Sequence, residues 1–219
     1  MKKYILTMVA VFGFMAAFAQ QTILQPKATV PKPEALLFAL NSNSNQVTAY
    51  KKLHMEKEAA ELVAQTQKDN AAIIEAFSKY FNFCPVYFYY NDANSKVTSQ
   101  DFDGIFLNST LAPDPTIRLK TNNFMVAYYG YHSQDEKTVT DTKGNTTTEM
   151  EATGFAIPHK EGITIMDNKL QQLTLPFPRF IKANFRYRKE KVNGVNIKIY
   201  EFKGAGTLDH HLKKYYEVR

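Results

Sequence analysis

The sequence predicts an α+β fold in which an N-terminal helical element packs on a mostly antiparallel, twisted sheet, closed by a short C-terminal helix. Three observations predict it. Apolar residues recur at spacings near three and four from about Val47 to Phe81, the period of an amphipathic helix. After that, short apolar and aromatic runs alternate with polar turn residues, as strands do. Gly204 and Gly206 then precede a last amphipathic stretch. A mixed α/β sheet is the alternative, because a helix running into Val86–Tyr90 can equally feed a parallel strand.

Taken in order, residues 1–19 have the three zones of a cleavable signal peptide. Lys2 and Lys3 supply positive charge, an uncharged apolar run follows from Ile5 to Phe18, and Ala17-Phe18-Ala19 is a small-x-small cleavage site before Gln20. That run is 14 residues long, short of the roughly 20 that a bilayer-spanning helix needs. Cleavage after Ala19 and an exported protein, periplasmic or secreted, with no remaining transmembrane anchor are therefore expected. Residues 20–34, with Pro26, Pro31 and Pro33, read as an extended lead-in, and residues 35–219 as a single globular domain.

Within that domain a short apolar run, residues 36–40, leads into the turn-forming Asn41-Ser-Asn-Ser-Asn45. The helical stretch follows, with Leu53, Ala60, Val63, Ile74, Phe77 and Phe81 as its apolar positions and Lys52, Glu56, Lys57, Glu61 and Lys68 opposite. Asp69 can cap a second segment, so one long helix and two abutting ones both fit. Pro85 ends the helix by about Phe83.

Strands are expected at Val86–Tyr90 and at residues 104–108, 116–120, 124–131, 137–141, 145–150, 155–158 and 162–166. Asn193-Gly194 is the clearest local signal, since a type I′ turn needs positive φ at both central residues. A two-residue loop there pairs Val192 with Val195, Phe185 with Phe202, Tyr187 with Tyr200 and Arg186 with Glu201. The last helix is expected over residues 208–216 with Thr207 as N-cap, Asp209 in its first turn and Lys213 and Lys214 near its end.

Composition narrows the function classes. The net charge is +6, and losing Lys2 and Lys3 with the signal leaves +4, too mild for a nucleic-acid binder, so no nucleic-acid partner is expected. The one cysteine, Cys84, has no internal disulfide partner and is read as buried and inert. A core must then come from the 13 Tyr and 16 Phe.

No catalytic constellation stands out: G-x-S-x-G, S-x-x-K, G-x-x-x-x-G-K-[ST] and H-E-x-x-H are all absent. The sequence leaves the catalytic residues unknown and points to no cofactor or metal. His54 and Glu58 have i,i+4 spacing, but a single such pair on a charged segment reads as a solvated face. His210 and His211 are adjacent and point apart on a helix. Asp101 and Asp103 (DFDG) read as turn chemistry ahead of a carboxylate pair. Asp92-Ala-Asn94-Ser-Lys96 has lysine where a calcium loop needs a ligand and lacks the glycine. Arg179, Lys182, Arg186, Arg188, Lys189 and Lys191 make a basic stretch interleaved with Phe180, Phe185 and Tyr187. Such a stretch suits either a solvated strand or a surface for anionic lipid headgroups and acidic glycans.

The MKK start, the Ala-Phe-Ala-Gln-Gln cleavage region and the Lys, Asn, Tyr and Phe rich body together resemble uncharacterised exported proteins of the Bacteroidota. The resemblance implies a periplasmic or cell-surface address and carries no activity. The expected function is accordingly a non-enzymatic binding or accessory module whose partner is an unknown protein or envelope component. One alternative is an envelope hydrolase with an unrecognised active site, for which Asp101, Asp103, His132 and His159 are the first residues to mutate; another is a structural subunit of a surface assembly.

Overall fold

A computed structural model describes residues 30–132, 137–140, 146–149, 160–171, 173, 177–192 and 195–217. The expected signal peptide, residues 20–29 of the expected lead-in, the expected strand at 155–158, His159 and the turn expected at Asn193-Gly194 lie outside these residues.

The fold is α+β, built on a five-stranded mixed sheet. Its strands are β1 (Ala35–Leu40), β2 (Val86–Tyr90), β3 (Phe124–His132), β6 (Lys160–Met166) and β7 (Phe180–Lys182), in the order β2-β1-β3-β6-β7. β1 is parallel to both β2 and β3, whereas β6 runs antiparallel to both its neighbours, β3 and β7. Two antiparallel ribbons accompany it: β4 (Lys137–Thr140) with β5 (Thr146–Glu149), and β8 (Asn184–Val192) with β9 (Val195–Lys203). Antiparallel pairing thus prevails across the molecule, while the N-terminal half of the main sheet has the parallel geometry of the alternative reading.

The apolar run at 36–40 falls in β1, an interior strand of that sheet flanked by β2 and β3. All six residues of β1 are buried, which explains the unbroken apolar sequence, since a strand covered on both faces has no polar side to present. Leu36, Phe38 and Leu40 face one layer with Met125, Ala127, Ile163 and Ile165. Leu37 and Ala39 face the other with Tyr89, Phe106, Phe124 and Val126.

The first layer contains α1 (Ser44–Lys52), α2 (Glu56–Tyr80), the β8-β9 ribbon and α4 (Ala205–Glu217). The sequence allowed two abutting helices, and two form, but the break falls at residues 53–55 rather than at Asp69. His54 takes a left-handed φ of 58°, its N–H donates to Lys51 O and the Met55 N–H to Tyr50 O, the paired bonds of a Schellman stop. Asp69 instead accepts the Tyr200 hydroxyl at 2.7 Å and the Gln65 amide at 2.7 Å, tying α2 to the ribbon.

The buried face of α2 agrees with the expected one at Ile74 and Phe77 and differs from it earlier in the helix. It runs through Ala59, Thr66, Asn70, Ile73 and Phe77, while Ala60 is exposed, Leu53 is 67% exposed and Val63 38%. The reason is polar: Asn70 donates to Asn41 O at 2.8 Å, and Thr66 accepts from the Asn43 amide at 2.7 Å. These bonds anchor the Asn-Ser-rich loop after β1, so part of the inward face is used to satisfy backbone and amide groups.

The second layer is the connection from β2 to β3. It carries a 3₁₀ turn (Asn91–Ala93), the short helix α3 (Asn94–Thr98) and irregular chain. The strands expected at 104–108 and 116–120 are absent there: the segment makes only isolated bridges, Tyr89 with Phe106 and Leu107 with Pro113. Ile105 and Phe106 are apolar because they cover this face of the sheet, Leu107 joins the core of the first layer, and the prolines at 113 and 115 interrupt any ladder.

The β8-β9 register agrees with expectation at every pair, from Val192 opposite Val195 to Phe185 opposite Phe202. Past Lys203 the chain must leave the ribbon and enter α4 within one residue. Gly204 makes this possible, since a Cβ there would lie 2.6 Å from Ala183 Cβ and 3.0 Å from Ile163 Cδ1. The helix begins at Ala205, so Thr207 lies inside its first turn and is not the N-cap.

Candidate functional site

Where the ribbon, the end of α2 and the start of α4 converge, they leave an open cleft of about 570 Å³. Its walls are Lys79 and Tyr80 from α2, Arg186 and Arg188 from β8, Glu201 and Lys203 from β9, and Gly206 and Thr207 from α4.

Strand alternation puts Arg186, Arg188 and Glu201 on one face of the ribbon. Glu201 holds both guanidinium groups, with Arg186 Nη2 at 2.5 Å and Arg188 Nε at 3.0 Å; Glu190 takes Arg188 Nη2 at 2.5 Å. Partial burial works to raise the Glu201 pKa, but the hydrogen bonds from Arg186 and Arg188 outweigh it and hold the carboxyl below its ordinary value. The arginines are thereby fixed in orientation with donors to spare.

Lys79 and Lys203 add charge without a carboxylate partner among the described residues. Four cations and one carboxylate therefore line the cleft. The start of α4 contributes in the same sense. Leu208 N–H is bonded back to Gly204 O at 2.8 Å, whereas the amides before it sit at the positive end of the helix dipole. Tyr80, 47% exposed, offers an aromatic surface on the rim.

The residues singled out in the sequence do not converge here. Asp101 follows α3 and is placed by a second Schellman stop: its N–H donates to Lys96 O at 2.9 Å, with Gln100 left-handed at φ 58°. Asp103 N–H donates to Asp101 Oδ1 at 3.3 Å and Asp103 Oδ1 pairs with Arg118 Nη1 at 2.9 Å, both in exposed positions. His54 lies in the corner before α2, so it shares no helix face with Glu58. His210 and His211 are exposed on α4. His132 ends β3, and His159 is outside the described residues.

Cys84 is half-buried, and desolvation pushes its thiol up to about 12, against an opposing effect of Lys32. Asp92 accepts the hydroxyls of Ser42 at 2.8 Å and Ser44 at 3.2 Å, closing the C-terminal ends of β1 and β2. Among the described residues no three His, Cys, Asp or Glu side chains are grouped to hold a metal ion, and no helix is long and apolar enough to cross a membrane.

Compared with protein-family models, with curated proteins and with solved structures, the chain matches none.

Of the cleft, Arg186, Arg188 and Glu201 were visible in the sequence as part of the basic stretch and its cross-strand partner. Lys79, Tyr80, Lys203 and Thr207 were not. The available signal was the ribbon register: continued one pair past Phe185 and Phe202, it sets Lys203 at the ribbon's base beside the Gly204-x-Gly206 helix start. The basic stretch itself is divided three ways. Arg179 and Lys182 go with β7, the two arginines with the cleft, and Lys189 and Lys191 with the far end of the ribbon.

Proposed function

We propose that this chain is an exported, non-enzymatic binding module of the cell envelope, periplasmic or secreted, and that its cleft takes an anionic saccharide. The observation that carries the reading is the cleft itself: a concave site of ligand size where two guanidinium groups held by Glu201, two lysines and a helix start face a single carboxylate. A carboxylate or phosphate on the sugar meets the lysines and spare arginine donors, and the Tyr80 ring offers a face for the sugar to lie against. No nucleophile with an adjacent base lines the cleft, which favours binding over chemistry.

Titration calorimetry with trigalacturonate, and with neutral galactotriose as control, tests this reading. Binding of the acidic sugar alone is expected, and replacing Lys79 and Lys203 together by alanine weakens it about tenfold, the effect of two partly solvated charge contacts. Equal affinity for both sugars, or an unchanged affinity in the double variant, contradicts it. Export is tested by N-terminal sequencing of the protein recovered from the producing cell, with Gln20 expected first and Met1 contradicting cleavage.

A further inference from the structure

The far end of the β8-β9 ribbon has a pattern that the cleft does not use. Side chains alternate along the ribbon, so Val192, Val195, Glu190 and Ile197 share one face, while Lys189, Lys191, Asn196 and Lys198 share the other. On the first face the apolar side chains are turned to solvent: Val195 is 63% exposed, Val192 41% and Ile197 39%. Glu190 is paired with Arg188, which offsets its charge. On the second face the three lysines have no carboxylate partner among the described residues. Lysine on an open strand discourages edge pairing, but that role does not require three β-branched apolar side chains in solvent on the opposite face.

We infer that the end of this ribbon docks onto an anionic lipid bilayer surface, with Val192, Val195 and Ile197 as the apolar side chains that enter the interface. The dimensions suit it. The Lys189-Lys198 pair lies three rungs behind the Val192-Val195 pair, about 10 Å at the strand rise, which matches the roughly 5–10 Å that apolar groups penetrate in interfacial binding. Lys189, Lys191 and Lys198 then reach lipid phosphates with flexible stems while the valines and Ile197 leave water. The charge fixes the choice of occupant: a neutral apolar partner offers nothing to three unpaired lysines, whereas an anionic headgroup layer satisfies both faces of the ribbon together. The contact is peripheral and needs no spanning segment.

The test is co-sedimentation of the exported protein with vesicles of phosphatidylcholine alone and of phosphatidylcholine mixed with phosphatidylglycerol. Three variants are compared in the same background, so any contribution of the N-terminal segment is common to all: Lys189→Gln/Lys191→Gln/Lys198→Gln, Val192→Ser/Val195→Ser, and Lys79→Ala/Lys203→Ala in the cleft. The parent protein is expected on the phosphatidylglycerol vesicles and largely absent from the neutral ones. The lysine variant loses on the order of 100-fold in partitioning, about fivefold per lysine, the serine variant also releases, and the cleft variant stays bound. All replaced side chains are solvent-facing, and unchanged thermal melts show that the fold is retained. Absence of the parent protein from anionic vesicles, or partitioning that neither tip variant alters, overturns the inference. So does a dimer in sedimentation velocity that the serine variant abolishes, because it would make a second copy the occupant.

Discussion

Cys84 shows how placement decides the chemistry of a single side chain. At the junction of α2 and β2, burial disfavours its thiolate and pushes the thiol up to about 12, although Lys32 acts in the opposite direction. A free cysteine titrates near 8.5, so at pH 8 the folded thiol should react with iodoacetamide on the order of 1000-fold more slowly than in urea. Equal rates in the two states would show that the site is open. The sequence reads Cys84 as buried and inert, and the structure places it half-buried. The Schellman stops at His54 and Gln100 were not legible in the sequence, because histidine and glutamine carry no general preference for left-handed backbone as strong as glycine's. Asp101 and Asp103 were correctly read as turn residues, whereas the helix stop that places Asp101 was not visible.

Elements were legible to the degree that their pairing is local. The β8-β9 ribbon closes through two residues, so cross-strand identity determined its register before any tertiary contact. β1 was opaque for the opposite reason: both its partners lie more than 40 residues away, and an apolar hexamer does not name them. α2 was legible toward its C-terminal end, where Ile74 and Phe77 pack on the core as expected. Neither its start at Glu56 nor its earlier inward face was, since Thr66 and Asn70 bond the loop after β1 while Val63 stays outside. The distinction is measurable by urea unfolding. Phe77 is 2% exposed, with its ring 4.6 Å from Phe38 and 5.3 Å from Phe81. Phe77→Ala should cost about 3–5 kcal/mol, and Leu53→Ala less than about 0.5 kcal/mol. A large loss at Leu53 would contradict its exposed position in the corner between α1 and α2.

At the scale of the whole molecule, two layers on a mixed sheet bring sequence-distant charges and hydroxyls together, and stability should follow their titration. Glu201 has its pKa lowered in the folded protein: burial opposes this, and Arg186 and Arg188 prevail. Its contribution is present above the unfolded value of 4.5 and is lost as the pH falls through the lower folded value. Tyr89, Tyr90, Tyr200 and Tyr216 are shifted upward by desolvation, with the Asp69 hydrogen bond adding to the effect at Tyr200. Neutral tyrosine is favoured in the fold, so that stability is complete below the ordinary value of 10 and declines as the pH rises beyond it. Thermal melts across pH should therefore show a plateau between these limits. In Glu201→Gln the acid limb should be shallower, and a limb of unchanged slope would remove Glu201 from its cause.

The same long-range convergence forms the cleft, where Lys79 and Lys203 meet only because α2 and β9 are packed side by side. Its role is tested most directly by mapping amide chemical shifts of the isotope-labelled protein during a trigalacturonate titration. Saturable shifts are expected around Lys79, Tyr80, Arg186, Arg188 and the run from Glu201 to Leu208, with Asp101 and Asp103 unmoved. No saturable shift, or shifts centred on Asp92 and Lys96 at the other end of the molecule, would contradict an anion-binding cleft.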